Sequence, residues 1–124
     1  MHNDWERYCQ ATDLQVKRGR VQVNFVGGRN HTVRIHPTSD DYLLTADIVH
    51  LDDVPYSAEP YQEMWKRNRR SVLVGFRVDD DRFLVAHGWT PKEALTAEAF
   101  QLLIRTVARE ADRYEFQLTG SDNR

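Results

Sequence analysis

The chain has 124 residues, enough for one domain with a core of its own and too few for two. It is 40% hydrophobic and 29% charged, as globular domains are, and no apolar run approaches the about 20 residues of a membrane span. The 17 basic and 19 acidic residues leave a net charge of −2, which provides no long-range field to draw in DNA, RNA or an anionic bilayer.

The first seven residues, Met1 to Arg7, are polar and lack the apolar core of a signal peptide. Cys9 is the single cysteine, so an internal disulfide is impossible, and a reducing cytoplasm is the expected setting. Asn3 or Asp4 can cap a first helix on which Trp5, Tyr8, Cys9 and Thr12 repeat at i, i+3, i+4 and i+7. On that stripe Cys9 reads as a buried small apolar residue rather than a reactive thiol. Gly19 breaks the pattern.

Val21, Val23 and Phe25 then alternate with Gln22 and Asn24, the period of a half-buried strand. Gly27-Gly28-Arg29-Asn30 supplies a turn, and a second strand runs from Thr32 to His36, ending at Pro37. A third, Tyr42 to His50, places Tyr42, Leu44, Ala46 and Ile48 on one face. The three read as an antiparallel meander. Asp52 to Pro60, with Ser57, is punctuation.

A short helix follows from about Glu59 to Arg69, with Pro60 in its permitted first turn and a stripe of Tyr61, Met64, Trp65 and Asn68. Ser71 to Val78 is β-prone, with Val72, Val74, Phe76 and Val78 alternating; Asp79-Asp80-Asp81 turns it into a return strand from Phe83 to Trp89. A long helix runs from about Thr96 to near Leu118, ending at Gly120, with a core stripe of Phe100, Leu103, Ile104, Val107 and Ala111 that Tyr114 extends. The five main side chains of that stripe represent roughly 8–12 kcal/mol of burial before chain entropy is subtracted. Residues 1–120 therefore predict a single α+β domain, α-β-β-β-α-β-β-α, with a five-stranded antiparallel sheet covered by helices. Ser121 to Arg124 read as a frayed tail.

The chain carries no catalytic motif. His31 and His36 fall on opposite faces of one strand, and no HxH, HxxxH or CxxC spacing specifies a local metal site. Gly27-Gly28 joins two strands, whereas a phosphate-binding loop joins a strand to a helix. None of the serines sits in a Gly-x-Ser-x-Gly elbow. His87 shares strand parity with Phe83, Val85 and Trp89 and reads as a half-buried core histidine. No enzyme, cofactor or metal is expected.

Aromatic residues are the stronger cue. The short helix sets Tyr61, Met64 and Trp65 on one stripe beside Lys66, Arg67 and Arg69, the composition of a protein interface. The basic run itself reads as a solvated helix end that complements the helix dipole.

The element order, and the residues Ser71-Val72-Leu73-Val74-Gly75-Phe76-Arg77-Val78, Phe83-Leu84-Val85-Ala86, Leu95-Thr96-Ala97-Glu98-Ala99-Phe100 and Ala108 to Arg113, resemble the superfamily of type III secretion chaperones and YbjN-like proteins. The order covers nearly the whole chain and the residue pattern about its last half. That resemblance implies a compact α+β sandwich, commonly a homodimer, that binds a polypeptide partner without catalysis. It places the dimer or partner surface on Tyr61, Met64, Trp65, Arg69, Phe76, Phe83 and Trp89. Secretion chaperones tend to be acidic, so the near-neutral charge and the basic run from Lys66 to Arg70 favour the broader YbjN-like group. Neither nucleic acid nor membrane is expected as a partner. The alternative is a small-molecule-binding or enzymatic domain whose site is assembled from separated residues, with His31, His50, His87 and Asp47 as candidates.

Overall fold

The computed structural model describes residues 4–55 and 59–119. A short 3-10 turn, Asp4–Tyr8, leads into β1 (Leu14–Lys17), β2 (Arg20–Asn24), β3 (Asn30–Pro37) and β4 (Asp41–His50). A second 3-10 turn, Leu51–Asp53, precedes α1 (Pro60–Arg70), β5 (Gly75–Val78), β6 (Phe83–Pro91) and α2 (Ala97–Thr119). All strands join one antiparallel sheet in the order β1-β2-β3-β4-β6-β5. The expected α+β architecture is present, with six strands in place of five. The proposed cap Asn3, Ser57, the end at Gly120 and the tail beyond it lie outside the described residues.

The sixth strand takes the place of most of the expected first helix. Leu14 and Val16 alternate with Gln15 and Lys17, and Lys17 pairs with Arg20 around a two-residue turn. Gly19 there has φ +66, a conformation glycine adopts without steric cost. The helical stripe survives only as the turn that buries Trp5, with Cys9 just beyond it. Cys9 is buried as expected, and that burial pushes its thiol up to about 11.

α2 lies across one face of the sheet. Its Phe100, Ile104, Val107, Ala111 and Tyr114 are fully buried against Val21, Val23 and Val33 of the meander, Leu44, Ala46 and Ile48 of β4, and Leu84 and Ala86 of β6. Gly88 sets the approach distance, because a Cβ there would lie 2.9 Å from Leu103 Cδ1 and 3.1 Å from the Leu73 carbonyl oxygen. Tyr114 joins the layers: its hydroxyl donates to the Pro60 carbonyl at 3.0 Å and Phe76 packs edge-on against its ring.

β5 begins at Gly75 rather than Ser71. Its outer edge is occupied at Phe76, where the Asn68 side-chain amide accepts from the backbone N–H at 2.7 Å and donates to the carbonyl at 2.9 Å. One side chain thus imitates a neighbouring strand and closes the edge to further pairing. Asn68→Ala is expected to cost about 1–3 kcal/mol, the penalty for two unpaired backbone groups at a buried residue. A urea titration reads the loss directly, and an unchanged midpoint would show that water replaces the amide without cost.

Candidate functional site

The residues expected to form an interface divide into surface and core. Tyr61, Trp65 and Trp89 are 56%, 60% and 64% exposed. Tyr61 and Trp65 stand one turn apart on α1, and the Arg69 guanidinium lies 4.9 Å from the centre of the Trp65 ring. Met64 turns inward and packs on the core. Phe83 is half-buried, perpendicular to the His50 ring at 4.9 Å. Phe76 corrects the expectation. It is 4% exposed and belongs to the core, because the β5 face that carries it is the one α2 and Tyr114 cover.

Sequence reading missed Val72 and Leu73, which it placed inside a strand. They stand 96% and 51% exposed in the bend before β5. Beside them an open groove of about 470 Å³ runs between α1 and α2, walled by Glu63, Arg67, Arg70 and Glu110. The groove is structured by Arg67, whose guanidinium stacks 4.3 Å above the Tyr114 ring and donates to the Gln117 side chain. The mixture of exposed aliphatic side chains and charged walls suits a polypeptide better than a compact apolar ligand.

The face of the sheet turned away from α2 carries Arg34, His36, Thr45, Asp47, Arg77 and His87. His36 Nε2 and Thr45 Oγ1 are 2.9 Å apart, and Arg34 reaches the Asp47 carboxylate at 3.5 Å. Partial burial of the rings, and then the neighbouring Arg34 and Arg77 charges, hold the His36 pKa below the ordinary imidazole value; burial and Arg77 do the same for His87. Below about pH 6.5 the folded state therefore binds fewer protons than the unfolded chain, and stability is lost as pH falls through that value. A lower melting temperature at pH 5.5 than at pH 7.5 is expected, with a smaller difference in the His36→Gln, His87→Gln double variant. An identical difference in that variant would remove these imidazoles from the account.

His31, His50, His87 and Asp47 are not brought together as one site. His50 accepts from the Asp52 backbone N–H at 3.1 Å beside the second 3-10 turn, and His87 sits on the outer face. His31, on the inner face, has Nε2 2.7 Å from the Asp47 carbonyl oxygen. Its company is instead Asp112 and Glu115 of α2, and the three are 1%, 2% and 2% exposed. His31 Nδ1 is 3.8 Å from Asp112 Oδ1, and Arg29 reaches the other oxygen, Oδ2, at 3.3 Å. Burial lowers the His31 pKa against the opposing pull of the Asp47 carbonyl and the Asp112 carboxylate. A signal for Glu115 was present in the sequence: it falls four residues after Ala111 and seven after Ala108, on the buried stripe.

No protein-family profile matches the sequence, and no curated protein matches it. Solved structures do. A chain of the heterodimeric ExoU–SpcU complex from the type III secretion system of Pseudomonas aeruginosa superposes with a TM-score of 0.62 at 14% identity, over 98% of this chain and 100% of that one. A chain of the ExsC–ExsE complex gives 0.61 at 16% identity, over 93% and 88%. The structure of the Yersinia pestis type III secretion chaperone SycH with a stable fragment of YscM2 gives 0.54 at 8% identity, over 87% and 91%. The α2-covered antiparallel sheet, with α1 set against its β5 edge, is the type III secretion chaperone-like fold.

Proposed function

We propose that this protein is a non-catalytic, polypeptide-binding chaperone-like or adaptor protein of the YbjN and type III secretion chaperone-like group, working as a homodimer in the cytoplasm. The observation that carries the reading is the exposed aromatic pair on α1. Tyr61 and Trp65 offer two large rings one turn apart, with Arg69 over one of them, and neither contributes to the core. Aromatic anchors with an arginine beside them are what protein interfaces select. The solved structures superposed above are complexes, including a chaperone with a fragment of another protein. Among the described residues no helix is long and apolar enough to cross a membrane.

The two edges of the sheet differ in what they offer. β5 is closed by Asn68, whereas β1 is the opposite edge and exposes Gln15, Val16 and Lys17. An extended partner segment would add to β1, gaining main-chain hydrogen bonds there. α1 is left to pair with a second copy. Sedimentation equilibrium on the tag-free protein at tens of micromolar tests the dimer, with an expected mass twice the 14.6 kDa of the chain. A monomer mass persisting at high micromolar concentration would remove the dimer from the proposal.

A further inference from the structure

We propose that His31, Asp112 and Glu115 form a buried site for one divalent transition-metal ion, with Zn²⁺ the ion that best suits its donors, and that the ion ties β3 to α2. One donor atom from each residue lies within 4.8 Å of the other two. Two of them, His31 Nδ1 and Asp112 Oδ1, are buried without a hydrogen-bond partner and face each other at 3.8 Å.

The tautomer follows from the partner on the far side of the ring. His31 Nε2 stands 2.7 Å from the Asp47 carbonyl oxygen, which can only accept, so Nε2 carries the proton and donates. Nδ1 of the neutral ring then points a lone pair at a carboxylate oxygen. Two acceptors facing each other in a buried site repel unless a cation lies between them. A shared proton would draw the two atoms to about 2.7–2.9 Å, shorter than the 3.8 Å between them. A shared ion does fit. Zn–N and Zn–O bonds of about 2.0–2.2 Å place their two donors roughly 3.4 Å apart at a tetrahedral angle and about 4.2 Å apart in line.

The surroundings agree with that assignment. A metal-binding imidazole ordinarily donates its other N–H to a backbone carbonyl or carboxylate, which fixes the ring, and the Asp47 carbonyl has that place here. Arg29 engages Asp112 Oδ2 and leaves Oδ1 turned toward His31. Imidazole with carboxylate oxygen suits Zn²⁺ and the neighbouring first-row ions better than Mg²⁺ or Ca²⁺. With all three donors buried the role is structural, and it is independent of the surfaces proposed on β1 and α1.

The test uses the full-length, tag-free protein after treatment with a chelator, with Zn²⁺ alone as the probe. Calorimetry is expected to show one ion per chain. The melting temperature should rise by roughly 10 °C at a free Zn²⁺ concentration about 100 times the dissociation constant. Asp112→Asn and Glu115→Gln, each close in volume, should weaken binding at least about 100-fold. Substituting Co²⁺ should give a nitrogen- and oxygen-ligand spectrum without a thiolate band, Cys9 not being among the donors. Nitrogen NMR on the wild-type protein keeps the proposal open to refutation if the variants do not fold. It should show ion binding shift Nδ1 of His31 while Nε2 stays protonated. The proposal is overturned by the absence of any binding of Zn²⁺, Co²⁺ or Mn²⁺, by stabilisation that survives in both variants, or by a His31 imidazolium that metal does not disturb.

Discussion

Trp65→Asp is expected to turn the proposed homodimer into a monomer, raising its dissociation constant at least about 100-fold while leaving the folding free energy of the monomer itself within about 0.5 kcal/mol. The two effects separate because of where the ring is. Trp65 is 60% exposed on the outer side of α1 and stands outside the hydrophobic core, so its loss creates no cavity. Exposed substitutions of that kind change folding by about 0.5 kcal/mol or less. At an interface the same ring is an anchor, and removing one costs about 2–4 kcal/mol, to which a buried carboxylate adds its own desolvation. Some 2.7 kcal/mol already corresponds to a factor of about 100. Sedimentation velocity at tens of micromolar, and a urea titration at a concentration too low for dimers to form, separate the outcomes. An intact dimer would place the interface elsewhere, with the exposed Val72 and Leu73, and separately Trp89, the next residues to change.

Phe100→Ala is expected to cost about 3–5 kcal/mol of folding stability, the range for emptying a fully buried phenylalanine site. Phe100 has no exposed surface and is the point where three parts of the chain meet. Its ring lies 6.5 Å from Trp5, 5.6 Å from Tyr8 and 5.3 Å from Tyr42, centre to centre. Truncation therefore loosens the N-terminal turn from both α2 and β4. Domains of this size hold about 5–15 kcal/mol in total, so about a fifth or more is at stake. Urea unfolding should show a lower midpoint at an unchanged slope. A loss below about 1 kcal/mol would mean that the N-terminal turn is not part of the cooperative core.

The parts of this fold that were legible in the sequence are those where one periodicity dominates. Phe100, Ile104, Val107 and Ala111 repeat at helical spacing on α2, and Val21, Val23, Val33 and Ile35 alternate on their strands, so core and meander were both visible. The first twenty residues were misread because two signals overlap there. Trp5, Tyr8 and Cys9 have helical spacing, but Leu14 and Val16 have strand spacing with a glycine turn behind them, and pairing with β2 decides the outcome. β5 was read as too long because Val72 continues an alternating pattern, while Asn68 fixes the register from α1, which local pattern cannot reveal.

The candidate surfaces were legible in a similar, partial way. Tyr61, Trp65 and Trp89 belong to exposed positions, but Phe76 shares their chemistry and lies on the covered face of β5, a difference set by the tertiary position of α2. The His31, Asp112 and Glu115 cluster was hidden by sequence distance, since His31 comes from β3 while Asp112 and Glu115, three residues apart, come from α2.

The most direct test of polypeptide binding is affinity capture with the full-length protein expressed at native level in its source cells, with bound chains quantified by mass spectrometry. The account predicts one polypeptide recovered in near-stoichiometric amount, and recovered again when the purified pair is mixed. Repeated capture across growth conditions that yields no polypeptide above an untagged control would contradict it.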